Sequence, residues 1–293
     1  MTSYFALSLL ICVQLVLYET SAGAENDFDV IVVGAGISGL TAAYELTKHN
    51  RSVVVLEANY RVGGRTWSRS LRTADGKTQR WDVGGMWVGM TQRDVFELLD
   101  ELNITVYEQY TQGKQVLVDP NGNRTIFSGD DSDGSLIGRI DTWLATKYFE
   151  YQSRRVRPTH PFRSIFANRW TRWSLAQWLD AHCWTDQCKI NLGSAIAGPM
   201  DIPADNVSAL FSLMYLNSAG SDLAVYGGET GMAAQRFKIE NGAQSISDVL
   251  QSRIGPNNIK FNVQVTHIDQ GPNGVTVTTQ PGGKFKAQKV GCD

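Results

Sequence analysis

Phe28-Asp29-Val30-Ile31-Val32-Val33-Gly34-Ala35-Gly36-Ile37-Ser38-Gly39-Leu40 decides the fold. The first six residues form a β-rich apolar run, and Gly34 stops it. From Ile37 to His49, Leu40, Ala43, Tyr44 and Leu46 fall on one helical face. Val53-Val54-Val55-Leu56 is an uninterrupted apolar run of the kind buried on both faces of a sheet. Strand, glycine turn, helix and strand make a βαβ unit and therefore a parallel sheet. In Gly34-x-Gly36-x-x-Gly39, the first glycine permits the tight turn and the second lets backbone approach a pyrophosphate. The third allows close packing of helix on strand. The helix start offers N–H groups and partial positive charge to phosphates at Ile37 and Ser38. Glu57 stands at the end of the second strand, close to the spacing at which an acidic residue holds ribose hydroxyls. A bare glycine-rich turn would leave Glu57 unexplained, so the stretch points to dinucleotide binding, with an unphosphorylated ribose.

Upstream, Thr2 to Tyr18 carries no charge, and Phe5 to Leu17 is almost wholly apolar. Ala22-x-Ala24 before Glu25 suits a signal-peptidase site, and the run is short for a membrane span. Residues 1–24 are therefore expected to be a signal peptide for a secreted protein, with a membrane anchor in the secretory pathway as the alternative. Sequons at Asn50, Asn103, Asn123 and Asn206 are glycosylation candidates on that route. Beyond Cys12, the chain keeps Cys183, Cys188 and Cys292, an odd number that leaves at least one thiol without an internal partner. Cys183 and Cys188 are expected on one helix, about 7.5 Å apart along its axis, which is too far for a bridge.

Downstream, helical spacing is expected over Thr91 to Leu102, from Ser174 with a Ser174/Gln177 capping box, over Val207 to Leu216 and over Ser245 to Ile254. Asp119-Pro120-Asn121-Gly122 marks a turn between two short β-like stretches, and residues 129–134 form an acidic loop. Ile259 to Val265, Val275 to Thr279 and Phe285 to Val290 read as strands, with a turn at Pro272-Asn273-Gly274. This places a dinucleotide-binding domain at residues 25–106 and 239–293, interrupted by a different domain at 107–238.

After Glu57 comes Arg61-Val62-Gly63-Gly64-Arg65-Thr66, where two glycines beside an arginine make a second place to meet a phosphate. Together with Val55-Leu56-Glu57-Ala58, this segment resembles the flavin-containing amine oxidase family, which includes monoamine, polyamine and L-amino-acid oxidases. Asp82-Val83-Gly84-Gly85-Met86-Trp87-Val88-Gly89-Met90-Thr91-Gln92 resembles the monoamine oxidase segment beside the flavin ring. Cys183-Trp184-Thr185, Val207 to Leu210, Asn241-Gly242-Ala243-Gln244 and His267 to Gln270 are similar to the same branch. The resemblance implies an α/β fold: an FAD/NAD(P)-binding Rossmann-like domain with an inserted α+β substrate domain. It implies FAD as cofactor, with Ile37 and Ser38 at the pyrophosphate, Glu57 and the adjoining Ala58 at the adenosine ribose, and Arg65 near the phosphates. Gly84, Gly85, Met86 and Trp87 would run beside the flavin, and the Val265 backbone would meet the adenine. The implied reaction oxidises a small amine to an imine with O2 reduced to H2O2, water releasing the aldehyde. Amino-acid oxidases typically place an arginine at the Trp87 position to pair with the substrate carboxylate, so Trp87 favours the amine branch.

In relatives the chain continues well past this point, and that part holds the flavin-facing lysine and the aromatic pair around the amine. The resemblance thus leaves the catalytic residues of this chain unassigned and implies a truncated product, inactive by itself. The alternatives are an L-amino-acid oxidase and a non-catalytic FAD-binding product; a dimer is an assembly the family allows. A net charge of −2 gives no global case for nucleic acid. One local stretch runs against it: residues 154–173 interleave six arginines with Phe162, Phe166, Trp170 and Trp173, read first as a solvated face with core anchors. His49, His160, His182 and His267 show no metal-ligand spacing, so no metal is expected.

Overall fold

The computed structural model describes residues 27–118, 122, 124–127, 135–228, 231–280 and 282–292. The expected signal peptide, the sequon at Asn123, most of the turn at 119–122 and the acidic loop lie outside the described residues. In chain order the elements are β1 (Phe28–Val33), α1 (Ile37–Lys48), β2 (Val53–Leu56), β3 (Ser68–Arg72), β4 (Thr78–Asp82), β5 (Trp87–Val88), α2 (Arg93–Leu102) and β6 (Val106–Glu108). There follow β7 (Gln115–Val118), β8 (Arg124–Phe127), α3 (Leu136–Ser153), α4 (Ala167–Arg172), α5 (Leu175–His182), α6 (Asp186–Ala197), α7 (Ala209–Ser218) and α8 (Leu223–Gly227). The chain closes with β9 (Phe237–Ile239), α9 (Gln244–Ile254), β10 (Ile259–Lys260), β11 (Gln264–Gly271), β12 (Gly274–Gln280) and β13 (Lys284–Cys292). It divides into two compact units: one ending at Val88, resuming at Gln92–Tyr107 and again from Lys238, the other made of Gly89–Thr91 and Glu108–Phe237.

The first unit is built on a six-stranded sheet in the order β10-β2-β1-β13-β12-β11. β10, β2, β1 and β13 are parallel, and β12 and β11 complete the sheet antiparallel. All four residues of β2 are buried, as its unbroken apolar run requires of a strand covered on both faces. Val30 pairs with Val53 and Val33 with Leu56, which fixes the glycine turn and Glu57 at the same, C-terminal, end of these strands. Ile31, Val54, Leu56, Val275, Val277 and Ala287 form a buried cluster on this sheet. Helix α1 buries Gly39, Leu40, Ala43 and Leu46. It packs against α9, which buries Ile246, Leu250 and Ile254. The run expected as one strand over Ile259 to Val265 is two, because the chain leaves β2 after Lys260 and re-enters the sheet at Gln264.

Among the described residues, the second unit is mainly helical, with the antiparallel β7–β8 hairpin beside the helices and the ends of β6 and β9 at its bounds. Phe149, Trp170, Leu175, Trp178, Leu192, Ile196, Leu213 and Leu216 form its core. The Ser174/Gln177 capping box opens α5 as expected. Helix α3 was not foreseen. Its buried positions include Asp141, Glu150, Gln152 and Ser153, while Leu136, Ile137, Ile140 and Trp143 face out. The buried polar groups have partners: Gln152 Oε1 accepts from Trp178 Nε1 at 2.7 Å. Asp141 Oδ2 accepts from the N–H groups of Trp184 (2.9 Å) and Thr185 (2.7 Å) and from the Thr185 hydroxyl (2.8 Å).

Those three bonds also correct the cysteine reading. Cys183 and Cys188 do not share a helix: α5 ends at His182 and α6 begins at Asp186, with Thr185 as N-cap accepting the Cys188 N–H. The corner brings the two Cα atoms to 5.6 Å, and the cysteines are joined by a disulfide. Cys292 is free and exposed.

Candidate dinucleotide-binding site

Gly34 leaves β1 with φ +100°, in the region that favours glycine, and its N–H donates to the Leu56 carbonyl at 2.8 Å. Gly36 is the N-cap of α1 and has no side chain to cap the helix. The N–H groups of Ile37, Ser38 and Gly39 therefore have no intrahelical acceptor, while Leu40 donates back to Gly36. Gly39 is buried, where the helix crosses the strand. The arrangement suits an anion carrying several oxygens.

Glu57 follows β2 directly. Its Oε2 accepts the Ala35 N–H at 2.7 Å, and its Oε1 accepts the Asn59 N–H at 2.7 Å, across the exposed Ala58. A carboxylate has about four acceptor positions, so two bonds orient Glu57 and leave further lone pairs for hydroxyl donors.

The second glycine loop lies against the first. Gly63 N–H donates to the Ala35 carbonyl at 2.8 Å, and a Cβ on Gly64 would stand 3.5 Å from Gly36 Cα. Gly63 (φ +103°) has no room for a Cβ, which would meet the Thr66 carbonyl at 2.5 Å. The two arginines of this loop divide their roles. Arg61 donates to the Val62 carbonyl at 3.0 Å and the Gly64 carbonyl at 2.8 Å, and lies 4.7 Å from the centroid of Trp67. Arg61 thus holds the loop's shape. Arg65 is exposed, and its guanidinium has no hydrogen bond or ion pair among the described residues, so it is the one available to an anion.

Gly84, Gly85, Met86 and Trp87 run alongside this loop. Val83 N–H donates to the Trp67 carbonyl at 2.8 Å and Gly85 N–H to the Arg65 carbonyl at 3.2 Å. A Cβ on Gly84 would lie 2.2 Å from the Arg65 carbonyl oxygen, so the close passage of two backbones requires glycine there. Met86 is half-buried, and Trp87 is exposed at the start of β5. Val265 sits in β11 opposite Thr279, next to a bulge. Two residues before it, Val263 N–H donates to the Glu57 carbonyl at 2.9 Å, so the strand starts beside the acidic residue.

Three residues quoted above only for the resemblance, with no role given to them there, hold these loops in place. Asp82 accepts from the Ser68 hydroxyl at 2.6 Å and from the Ala243 N–H at 2.9 Å. Gln244 Oε1 accepts the Ser68 N–H at 2.9 Å, and its amide reaches the Val62 carbonyl at 3.4 Å. Gly242 is confined there too, since its Cβ would lie 2.4 Å from the Ser68 hydroxyl oxygen. The Asn241-Gly242-Ala243-Gln244 turn is therefore a clamp on the second glycine loop as well as a helix start. Among the described residues no group of His, Cys, Asp or Glu is arranged to hold a metal.

The family described as "Flavin containing amine oxidoreductase" matches residues 37–291. "Probable flavin-containing monoamine oxidase A" of Dictyostelium discoideum is 28% identical over 267 residues, 90% of this chain and 56% of the relative. "Putrescine oxidase" of Kocuria rosea is 30% identical over 265 residues, 88% of this chain and 53% of the relative. Among solved structures, cyclohexylamine oxidase from Brevibacterium oxydans superposes with a TM-score of 0.80 at 26% identity, over 90% of this chain and 57% of that one. The chain spans about half the length of the curated relatives it matches. With the glycine loops, Glu57 and the sheet in place, and with the family match covering most of its length, this chain belongs to the flavin-containing amine oxidoreductases, with FAD as cofactor.

Proposed function

We propose that this chain forms the dinucleotide-holding part of an FAD-dependent amine oxidase acting on a small amine with O2. The observation that carries the reading is the meeting of the two glycine loops at the start of α1, with the oriented Glu57 beside them. The N–H groups of Ile37, Ser38 and Gly39 bind the pyrophosphate, joined by the Arg65 guanidinium. Glu57 accepts from the adenosine ribose next to Ala58, and the Val265 backbone meets the adenine. Gly84 to Trp87 lie along the flavin, with Gly84 letting the chain pass close to Arg65. Bound FAD supplies a two-electron acceptor, which takes the pair released when an amine becomes an imine and passes it to O2 to give H2O2. The residues of this chain bind and orient; none is assigned a proton-transfer role.

Purified chain is expected to retain FAD with a flavin absorption spectrum and to release it to excess ADP, which carries the same ribose and pyrophosphate. No flavin retention, or no competition by ADP, would overturn the reading. Trp87 offers no charge to a substrate carboxylate, which favours amines. A second reading, an amino-acid oxidase, draws on Lys238, whose Nζ lies 5.7 Å from the centroid of the Trp87 ring. A shift of the bound flavin's absorption spectrum on adding tyramine but not leucine, which needs binding and no turnover, supports the first, and the reverse supports the second. The secretory route is part of the proposal. It is supported by the exposure of Asn50, Asn103 and Asn206 and by the Cys183–Cys188 bond, a pairing favoured in oxidising compartments. Intact mass from a secretory host tests it.

A further inference from the structure

Residues 154–173 hold six arginines and no acidic residue, in a chain whose net charge is −2. In the second unit Arg154, Arg155, Arg157, Arg163, Arg169 and Arg172 are all exposed. None of them pairs with a carboxylate among the described residues. Two are steadied on rings instead: Arg155 lies 3.4 Å from the Tyr151 centroid and Arg169 4.2 Å from that of Trp173. Between the arginines, Phe162 is 77% exposed and Ile165 86%, with Phe166 also outward. These apolar tips are not loosely held. Val156, Ala167 and Trp170 are buried in the core on either side of them, and the buried Ser164 accepts the Arg157 N–H at 2.9 Å. A firmly anchored segment thus carries bare apolar side chains interleaved along the chain with exposed arginines that no carboxylate offsets among the described residues.

We propose that this face seats the second unit on an anionic lipid surface. The charge complements acidic headgroups, and clusters of several basic residues are the usual recognition element for them. The apolar tips separate a bilayer from other polyanions: Phe162 and Ile165 gain from entering the acyl boundary, whereas a sulfated polysaccharide or a nucleic acid gives Ile165 nothing to enter. The inference is independent of the amine oxidase reading, because it uses no residue of the dinucleotide site.

The test is co-sedimentation of the full chain with phosphatidylcholine vesicles, with and without phosphatidylserine. Binding is expected only with phosphatidylserine and is expected to weaken as salt rises. Each basic residue near such a surface is worth about fivefold in binding. Replacing Arg163, Arg169 and Arg172 together by alanine should therefore weaken it about a hundredfold. The pair Phe162→Ser and Ile165→Ser should weaken it at least tenfold, with an unchanged circular dichroism spectrum. Arg72→Ala, an exposed arginine of the first unit, should have no effect. Equal sedimentation with both vesicle types would overturn the proposal. So would full phosphatidylserine binding by the Phe162/Ile165 variant alongside undiminished retention on immobilised heparin, which would make the face a site for a soluble polyanion.

Discussion

Replacing Glu57 by glutamine probes the dinucleotide site at one atom pair. Both carboxylate oxygens are engaged by backbone, Oε2 by Ala35 N–H and Oε1 by Asn59 N–H, each at 2.7 Å. Glutamine keeps one carbonyl oxygen and turns the other acceptor into a donor, so one of these bonds is lost together with the charge proposed to face the ribose. The internal loss is partly repaired by water at this half-buried position. About 1 kcal/mol of stability should go, seen as a fall of roughly 2–4 °C in Tm. The loss in binding is larger, because a hydrogen bond to a charged group contributes about 1.5–3 kcal/mol, or about ten- to a hundredfold in affinity. Calorimetric titration with FAD, ADP and FMN separates the terms. FAD and ADP share the adenosine ribose and should weaken by the same factor, while FMN, which lacks it, should not change. Unaltered FAD affinity refutes the ribose assignment. Weakened FAD with unaltered ADP would show that Glu57 acts elsewhere.

Gly84→Ala sets a Cβ 2.2 Å from the Arg65 carbonyl oxygen, backbone against backbone, and should cost about 1–3 kcal/mol in thermal denaturation. Gly291→Ala, which meets open space, should leave Tm unchanged. Cys188→Ala removes the closure of a five-residue separation, worth about 2 kcal/mol by loop entropy, and should lower the urea midpoint. Dithiothreitol should bring the unmodified protein down to the same midpoint and leave the variant where it is. Glu101 is held below the usual carboxylate range by its bond from Lys48 and then by that from Tyr44. Its folded pKa being depressed, it adds stability above the unfolded carboxylate value, and that stability is lost as pH falls through the folded one. Glu101→Gln should therefore destabilise the protein at neutral pH and make no difference at strongly acid pH in a urea series.

The βαβ unit was legible because everything that forms it is local. A valine-rich run, a glycine at the φ-positive position and one apolar helix face lie within thirty residues, and β1, α1 and β2 fall where the pattern puts them. Helix α3 was illegible for a definite reason. Its period is mixed, with Leu136, Ile140 and Trp143 outward and Asp141 and Gln152 buried beside Ala145 and Phe149, so no single apolar stripe read from sequence marks its buried face. The cysteine corner was misread because one helix was assumed across Thr185, although a threonine before Asp186 is itself an N-cap signal. The glycine turn after β1 and the place of Glu57 directly after β2 were legible from local pattern. The clamp was not, since Ser68 and Gln244 are 176 residues apart and no local pattern couples a serine on a strand to a glutamine opening a helix. Local pattern does not separate Arg61 from Arg65; the resemblance picked Arg65, and the carbonyls that hold Arg61 leave Arg65 the available one.

The pairing of β1 with β13 imposes an order on biosynthesis. Phe28 lies opposite Ala287 and Val33 opposite Cys292, so the central strand of the sheet finds its second neighbour only when almost the whole described chain has been made. At about 5–20 residues per second, a ribosome needs roughly 13–50 s to cover that interval, far longer than a helical bundle takes to collapse. The intervening helical unit, whose core is drawn entirely from residues 145–226, can consolidate in that time without the sheet. Meanwhile one edge of β1 stays open, displaying Val30, Ile31, Val32 and Val33 to any other nascent strand in reach. Slowing translation of the final hairpin should therefore lengthen the interval of greatest aggregation hazard, whereas slowing it within the helical segment should do less harm.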